Sequence, residues 1–206
     1  MSRTRAGLLD GAVSVIERGG LGKVTMSAVA TRSGVSKATL YNHFRTKDDV
    51  LRALVLREVE LIADDADAAA AQARANGSDL VAATAAGLAR AGGTAAEHVA
   101  ARRVAAEQPG ALAPLMRADD GPAWRTARVR LSALLGVPAD DPLVRLAAGW
   151  VVSQVMDPQD PSAQSVTATA LARAAAQSRR GMRDPAAALE AALSGAPEVG
   201  PGPEPG

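Results

Sequence analysis

The stretch TMSAVATRSGVSKATLYNHF, residues 25–44, decides the reading of this chain. Thr25 stands just before a short apolar run, where its hydroxyl suits the free backbone N–H groups of a helix's first turn. The run ends at Ser33 and Gly34, and glycine's access to the left-handed region lets the chain turn there. Ser36 follows as a second cap, opening a helix over 37–44 in which Leu40 and Phe44, four apart, share one face. Two short helices joined by a turn containing glycine make a helix-turn-helix. In that geometry Val35, Leu40 and Phe44 anchor the second helix. Lys37, Ala38, Thr39, Tyr41, Asn42 and His43 fill its outward positions, offering donors, acceptors and one small apolar contact to base edges and phosphates.

Working outward, Leu8, Leu9, Ala12, Val13 and Ile16 fall at helical spacing within 5–18, and Gly19 and Gly20 stop the pattern. Downstream, Thr46 with Asp49 three residues on reads as a capping pair that starts a long helix, carried by Val50, Leu51, Leu54, Val55, Val59, Leu61 and Ile62 into the alanine-rich 63–75 and broken near Asn76 and Gly77. Further helices are expected at 79–91, 95–106, 122–135, 142–156, 163–179 and 185–194, with Gly92 and Gly93 read as a break. Pro122, Pro142 and Pro185 suit a first helical position. No segment sustains strand alternation, so the expected fold is all-α. It comprises an N-terminal three-helix helix-turn-helix domain (1–50), a larger helical ligand-binding and dimerisation domain (51–194), and a disordered tail (195–206) with four prolines and four glycines. The whole should hold about nine to ten helices.

Charge is divided along the chain. Residues 1–57 hold ten Lys and Arg against four Asp and Glu, a net of +6, whereas 58–206 hold thirteen against eighteen, a net of −5. Phosphate neutralisation dominates nonspecific DNA affinity, so a basic module on an acidic partner module fits a DNA-contacting domain; a solvated basic face would give the same count. The absence of cysteine excludes disulfides, thiol nucleophiles and thiolate metal sites, and the two histidines are far apart, so no metal and no cofactor is expected. No stretch approaches the ~20 uninterrupted apolar residues of a membrane helix, and the N-terminus lacks a secretory pattern, so a cytoplasmic chain with no membrane partner is expected. Paired carboxylates, a Ser/His/Asp set and a phosphate loop are missing at recognisable spacing, which argues against an enzyme.

Thr39 to Phe44, followed by Lys47 and preceded by Ala30 to Ser36, resembles the DNA-binding signature of the tetracycline-repressor (TetR) family, over roughly residues 5–55. The rest of the chain matches that family only in being helical and of suitable length. The resemblance implies that Thr25 caps and touches a phosphate, that Ser27 sits where the groove is reached, that Ser36 adds a phosphate role to its capping, and that Lys37 and Ala38 read bases. It further implies that Thr39, Tyr41 and His43 contact phosphates, with Tyr41 against a thymine methyl, that Asn42 adds a base contact, and that Lys47 binds phosphate at a helix start. Arg3 and Arg5 would reach DNA as a flexible arm ahead of the first helix. Packing is the competing role for Tyr41, capping or packing for His43, and capping alone for Thr25, Ser36 and Thr46.

A regulator of this kind reads two half-sites of double-stranded DNA, so a homodimer on a palindromic operator is expected. The resemblance assigns dimerisation to the last two long helices, whose small apolar faces include Leu146, Ala147, Val151, Val155, Ala168, Leu171, Ala172 and Ala175; an intramolecular core is the alternative. An unknown small-molecule effector would enter the middle helices. His98, Arg102, Arg103, Met116, Trp124, Arg128, Trp150 and Gln154 are the candidates there, around a cavity otherwise aliphatic, with a solvent-facing position the competing role for the arginines and core packing the favoured one for Trp150. The expected function is therefore a repressor released by a small molecule, with an activator as the nearest variant and a helical small-molecule carrier that ignores DNA as the other class.

Overall fold

The computed structural model describes residues 3–112 and 121–183. Within them the chain forms α1 (Arg3–Gly19), α2 (Met26–Arg32), α3 (Lys37–His43), α4 (Lys47–Ala75), α5 (Leu80–Glu97), α6 (Val99–Glu107), α7 (Pro122–Leu135), α8 (Pro142–Met156) and α9 (Pro161–Arg183), with 3-10 turns at Leu21–Lys23 and Pro109–Leu112. No strand occurs among the described residues, so the fold is all-α. Met116, the expected helix at 185–194 and the Pro/Gly tail lie outside them.

The caps read from the sequence are made. Thr25 Oγ1 accepts from the Ala28 N–H at 3.0 Å and Ser36 Oγ from the Thr39 N–H at 3.0 Å. Thr46 and Asp49 form a reciprocal box: Thr46 Oγ1 accepts from the Asp49 N–H at 3.1 Å, and Asp49 Oδ2 from the Thr46 N–H at 3.0 Å. Gly34 has a φ of +67° and closes α2, with the Val35 N–H reaching back to the Ala30 carbonyl. A residue with a Cβ would be strained there, which makes the turn between α2 and α3 dependent on this glycine.

Two cores result. The first gathers Leu8, Leu9, Ala12 and Ile16 of α1, Val29 of α2, Leu40 and Phe44 around α3, Val50 and Leu54 of α4, and Ala100 and Val104 of α6. The second joins Leu88 of α5, Leu135 of α7, Val144 and Ala147 of α8 and Ala168, Leu171 and Ala175 of α9. α4 lies against α1, α5 and α7 and so belongs to both halves of the molecule.

Two expectations change. The helix begins at Arg3, so Arg5 stands in the first turn of α1 with its guanidinium 4.9 Å from the centre of the Phe44 ring rather than in a flexible arm. α5 runs through Gly92 and Gly93 to Glu97 instead of stopping at them. A Cβ on Gly92 would lie 2.8 Å from Trp150 Cη2, so this glycine serves close approach of α8, not chain reversal.

The neighbouring glycines should therefore respond oppositely to alanine. Gly92→Ala drives a methyl into a rigid indole and should destabilise by about 1–3 kcal/mol. Gly93→Ala meets only Gln164 Oε1 at 3.7 Å and should stabilise by up to about 1 kcal/mol through helix propensity. Urea unfolding of the two variants measures both signs, and equal signs would refute the packing role given to Gly92.

Candidate nucleic-acid interface and cavity

α3 presents what its spacing promised. Leu40 and Phe44 are buried, while Lys37, Ala38, Tyr41, Asn42 and His43 are exposed, Tyr41 with 50% of its surface open. Thr25, Ser27, Ser36 and Lys47 are also exposed. Thr39 is half-buried, with its hydroxyl 2.9 Å from Ser36 Oγ at the helix start. Arg45, which the sequence reading passed over, adds an exposed cation between α3 and α4. Lys37 to Lys47 thus form a convex, polar and basic ridge whose inner side is fixed by apolar packing, a shape that enters a major groove.

Behind this module lies a cavity of about 320 Å³. α4 supplies one long wall from Leu51 to Asp67, with α1, α5, α6, α7 and α8 around it. Its surface is aliphatic except for Trp124 and four ionisable groups, Glu58, Asp67, His98 and Arg130. These four are engaged in pairs. Glu58 Oε2 lies 2.9 Å from His98 Nε2, and Arg130 reaches Asp64 at 2.6 Å and Asp67 at 2.7 Å.

The first pair is tied to the N-terminal module. Arg57, beside Glu58 on α4, donates from Nε and Nη2 to Glu58 Oε1 at 3.0 and 2.6 Å. Its Nη1 donates to Asp10 Oδ1 at 2.7 Å and to the Ala6 carbonyl at 3.3 Å, both on α1. Arg103 of α6 makes a second tie, donating from Nη1 to the Glu17 carbonyl at 2.8 Å.

Of the residues singled out for a ligand, His98 and Trp124 line the cavity. The others do different work. Arg102 is exposed, with Nη1 3.4 Å from the Ala96 carbonyl. Arg128 is outside the cavity wall and its Nε is buried without a hydrogen-bond partner among the described residues. Trp150 packs over Gly92 and donates to Gln159 Oε1 at 3.1 Å. Gln154, buried, accepts from the Gln159 N–H at 3.0 Å and holds the α8–α9 connection. Glu58, Asp67 and Arg130 were missed, although each is a charge set into an otherwise apolar helical stripe, the signal that would have found them. Among the residues singled out for dimerisation, Ala168, Leu171, Ala172 and Ala175 are buried within the chain, Val151 and Val155 line the cavity, and Leu146 is 59% exposed.

Residues 8–54 match the family described as bacterial regulatory proteins, tetR family. Nothing among the curated proteins matches. Solved structures do. The fatty acid degradation regulator FadR from Bacillus halodurans aligns at 19% identity and a TM-score of 0.62, over 84% of this chain and 95% of its own. The TetR family repressor AlkX from Dietzia sp. strain DQ12-45-1b aligns at 20% and 0.61, over 84% and 95%. The regulator FadR from Bacillus subtilis, solved in complex with stearoyl-CoA, aligns at 17% and 0.59, over 81% and 96%. At these identities the likeness to solved structures is one of fold. The family match covers residues 8–54, and over the rest of the chain the likeness is one of fold alone.

Behind the helix-turn-helix module the Glu58–His98 pair is electrostatically set. Burial opposes the charge on Glu58, but hydrogen bonds from His98 and Arg57, with the charge of Arg57, outweigh it and hold the carboxyl below its usual 4.5. The Glu58 hydrogen bond raises His98 above 6.5 against partial burial. The same ring caps α6, Nδ1 accepting from the Ala101 N–H at 3.2 Å. That long bond needs an unprotonated Nδ1, so the cap and a full ion pair compete for the ring's charge state.

A raised histidine contributes stability that is complete below its unfolded value near 6.5 and lost as pH rises through the folded one. A lowered carboxylate contributes stability that is complete above 4.5 and lost as pH falls through the folded value. The pair should therefore stabilise most between pH 4.5 and 6.5. The melting-temperature difference between wild type and Glu58→Gln should be largest at about pH 5.5 and shrink towards about pH 9. A difference constant across that range would show that the pair's charge plays no part.

Proposed function

We propose that this protein is a TetR-family regulator, acting as a cytoplasmic homodimeric repressor released from a palindromic DNA operator when a small apolar effector enters the cavity beside α4. The observation that carries the DNA-binding part is the arrangement of α3, where a buried Leu40 and Phe44 hold Lys37, Ala38, Tyr41, Asn42 and His43 outward on a seven-residue helix. Lys37 and Ala38 read base edges at the helix start. Tyr41, His43 and Lys47 contact phosphates, Lys47 at the capped N-terminus of α4, where free N–H groups favour an anion.

A single seven-residue helix offers few base contacts, and two copies on successive major grooves supply the rest. The outer sides of α8 and α9 suit the pairing. Leu146 and Val166 stand there 59% and 71% exposed, large apolar side chains without cover in the monomer. The small residues of α9 are already spent against α5.

Effector control is supported by the position of the cavity. Its α4 and α6 walls are the two helices that grip α1, through Arg57 to Asp10 and the Ala6 carbonyl and through Arg103 to the Glu17 carbonyl. A ligand that favours a different placement of α4 thereby favours a different placement of α1 and α3, and only such a difference in affinity between the two states releases DNA. The aliphatic wall sets the effector's character. It accords with the stearoyl-CoA bound to the B. subtilis FadR and with the role of AlkX in biodegradation of n-alkanes.

Selection of genomic fragments on the purified protein, followed by titration at several salt concentrations, tests the reading. Lys37→Ala should change which fragments are retained. Lys47→Ala should weaken all of them alike and reduce the salt slope by about 1. Retention of no fragment at low salt would end the proposal in favour of a carrier that ignores DNA.

A further inference from the structure

The cavity's charges say more about its occupant than its volume does. α4 lines it from Leu51 to Asp67, a rise of about 24 Å, and α7 from Trp124 to Leu134, about 15 Å, so the walls are long. Glu58 stands near the middle of the α4 wall, with about 14 Å of it running on to Asp67, close to the roughly 15 Å that one acyl chain occupies in half of a bilayer's ~30 Å hydrocarbon core.

Among the described lining residues the carboxylates Glu58 and Asp67 face one permanent cation, Arg130. That cation is already committed. Arg130 Nε and Nη2 donate to Asp67 Oδ2 at 3.1 and 2.7 Å, and Nη2 also to Asp64 Oδ1 at 2.6 Å. His98 is committed likewise, to Glu58 through Nε2 and to the start of α6 through Nδ1. An anionic head group entering here would find no free positive partner among the described lining residues, would leave water, and would stand beside Glu58 or Asp67, each of which costs free energy. An uncharged hydroxyl escapes the repulsion, needs no positive partner and loses far less on leaving water.

Glu58 also has accepting capacity to spare. Oε1 takes two bonds from Arg57, but Oε2 takes one, from His98 Nε2. A carboxylate oxygen has two lone-pair sites, so Oε2 can accept one more proton donor. We propose that the cavity binds an uncharged, elongated aliphatic molecule carrying one terminal hydrogen-bond donor, a long-chain alcohol in the simplest case, with the donor on Glu58 and the chain along α4, and that it discriminates against the corresponding carboxylate. This rests on reading the cavity as the effector site and narrows that reading to a ligand class.

The test is calorimetric titration of the full chain without DNA at about pH 8, where a carboxylic acid is ionised, using 1-dodecanol, dodecanoate and dodecane, each below its aggregation concentration. Dodecanol should bind at least tenfold more tightly than either of the other two. In Glu58→Gln the preference over dodecanoate should narrow at least tenfold. Because Glu58 also ties Arg57 to His98, Ala127→Phe, which fills the cavity from α7 without touching a charge, is the second variant and should abolish dodecanol binding. Dodecanoate binding as tightly as dodecanol, dodecane matching it, or no chain binding at all would each overturn the proposal. Failure of the regulatory reading is separable: dodecanol that binds the protein as predicted but leaves operator fragments bound would refute effector control and uphold the ligand class.

Discussion

Everything in this molecule turns on α4 being one uninterrupted helix shared by two cores. Its first turn is fixed by the Thr46–Asp49 box, with Arg52 drawing Asp49 further into its charged form. Val50 and Leu54 close the core under α3, the next turns wall the cavity, and Ala66 and Ala70 pack beyond it. At 29 residues the helix spans about 44 Å. Val50 and Leu54 of this helix pack with Leu40 and Phe44, so a rigid-body shift of its cavity wall would reach α3. Arg57 and Glu58 mark the crossing point, one side chain turned to α1 and its neighbour to His98.

Much of the frame was legible in the sequence because local chemistry decides it. Threonine and serine caps at 25, 36 and 46, glycine at 34 and prolines at 122 and 142 act within a few residues of themselves, and α7 and α8 begin and end where spacing alone put them. The break expected at Gly92 failed for the opposite reason. What governs that position is Trp150, more than fifty residues downstream, and a local reading has no access to a helix laid across it. Arg5 is similar, since the ring beneath it belongs to Phe44.

The outward polar face of α3 was legible and the cavity largely was not, and the two differ in how their residues are chosen. A groove-reading helix must turn polar side chains outward over a buried pair, a pattern contained in one short stretch. A cavity wall uses the same valines, leucines and alanines as a core, and only three-dimensional closure separates the two. Searching the middle helices for conspicuous residue types led to Trp150 and Gln154, which pack and bond within the chain. The informative feature was position rather than type: Glu58 falls in phase with Leu51, Leu54, Val55 and Ile62, on the face that should have been uniformly apolar.

The same distinction bears on the small residues of α9. Ala168, Ala172 and Ala175 do allow close helix contact, as alanine stripes do, but the helix they admit is α5 of the same chain. Their burial frees the opposite side of α9 to carry large apolar groups such as Val166 into solvent, where only another surface can cover them. Packing within the chain therefore occupies one face of α9 and leaves the other open. A shift of α4 against α5 would thus reach the exposed side of α9 through the alanines on its inner side, which joins the cavity wall to that open face.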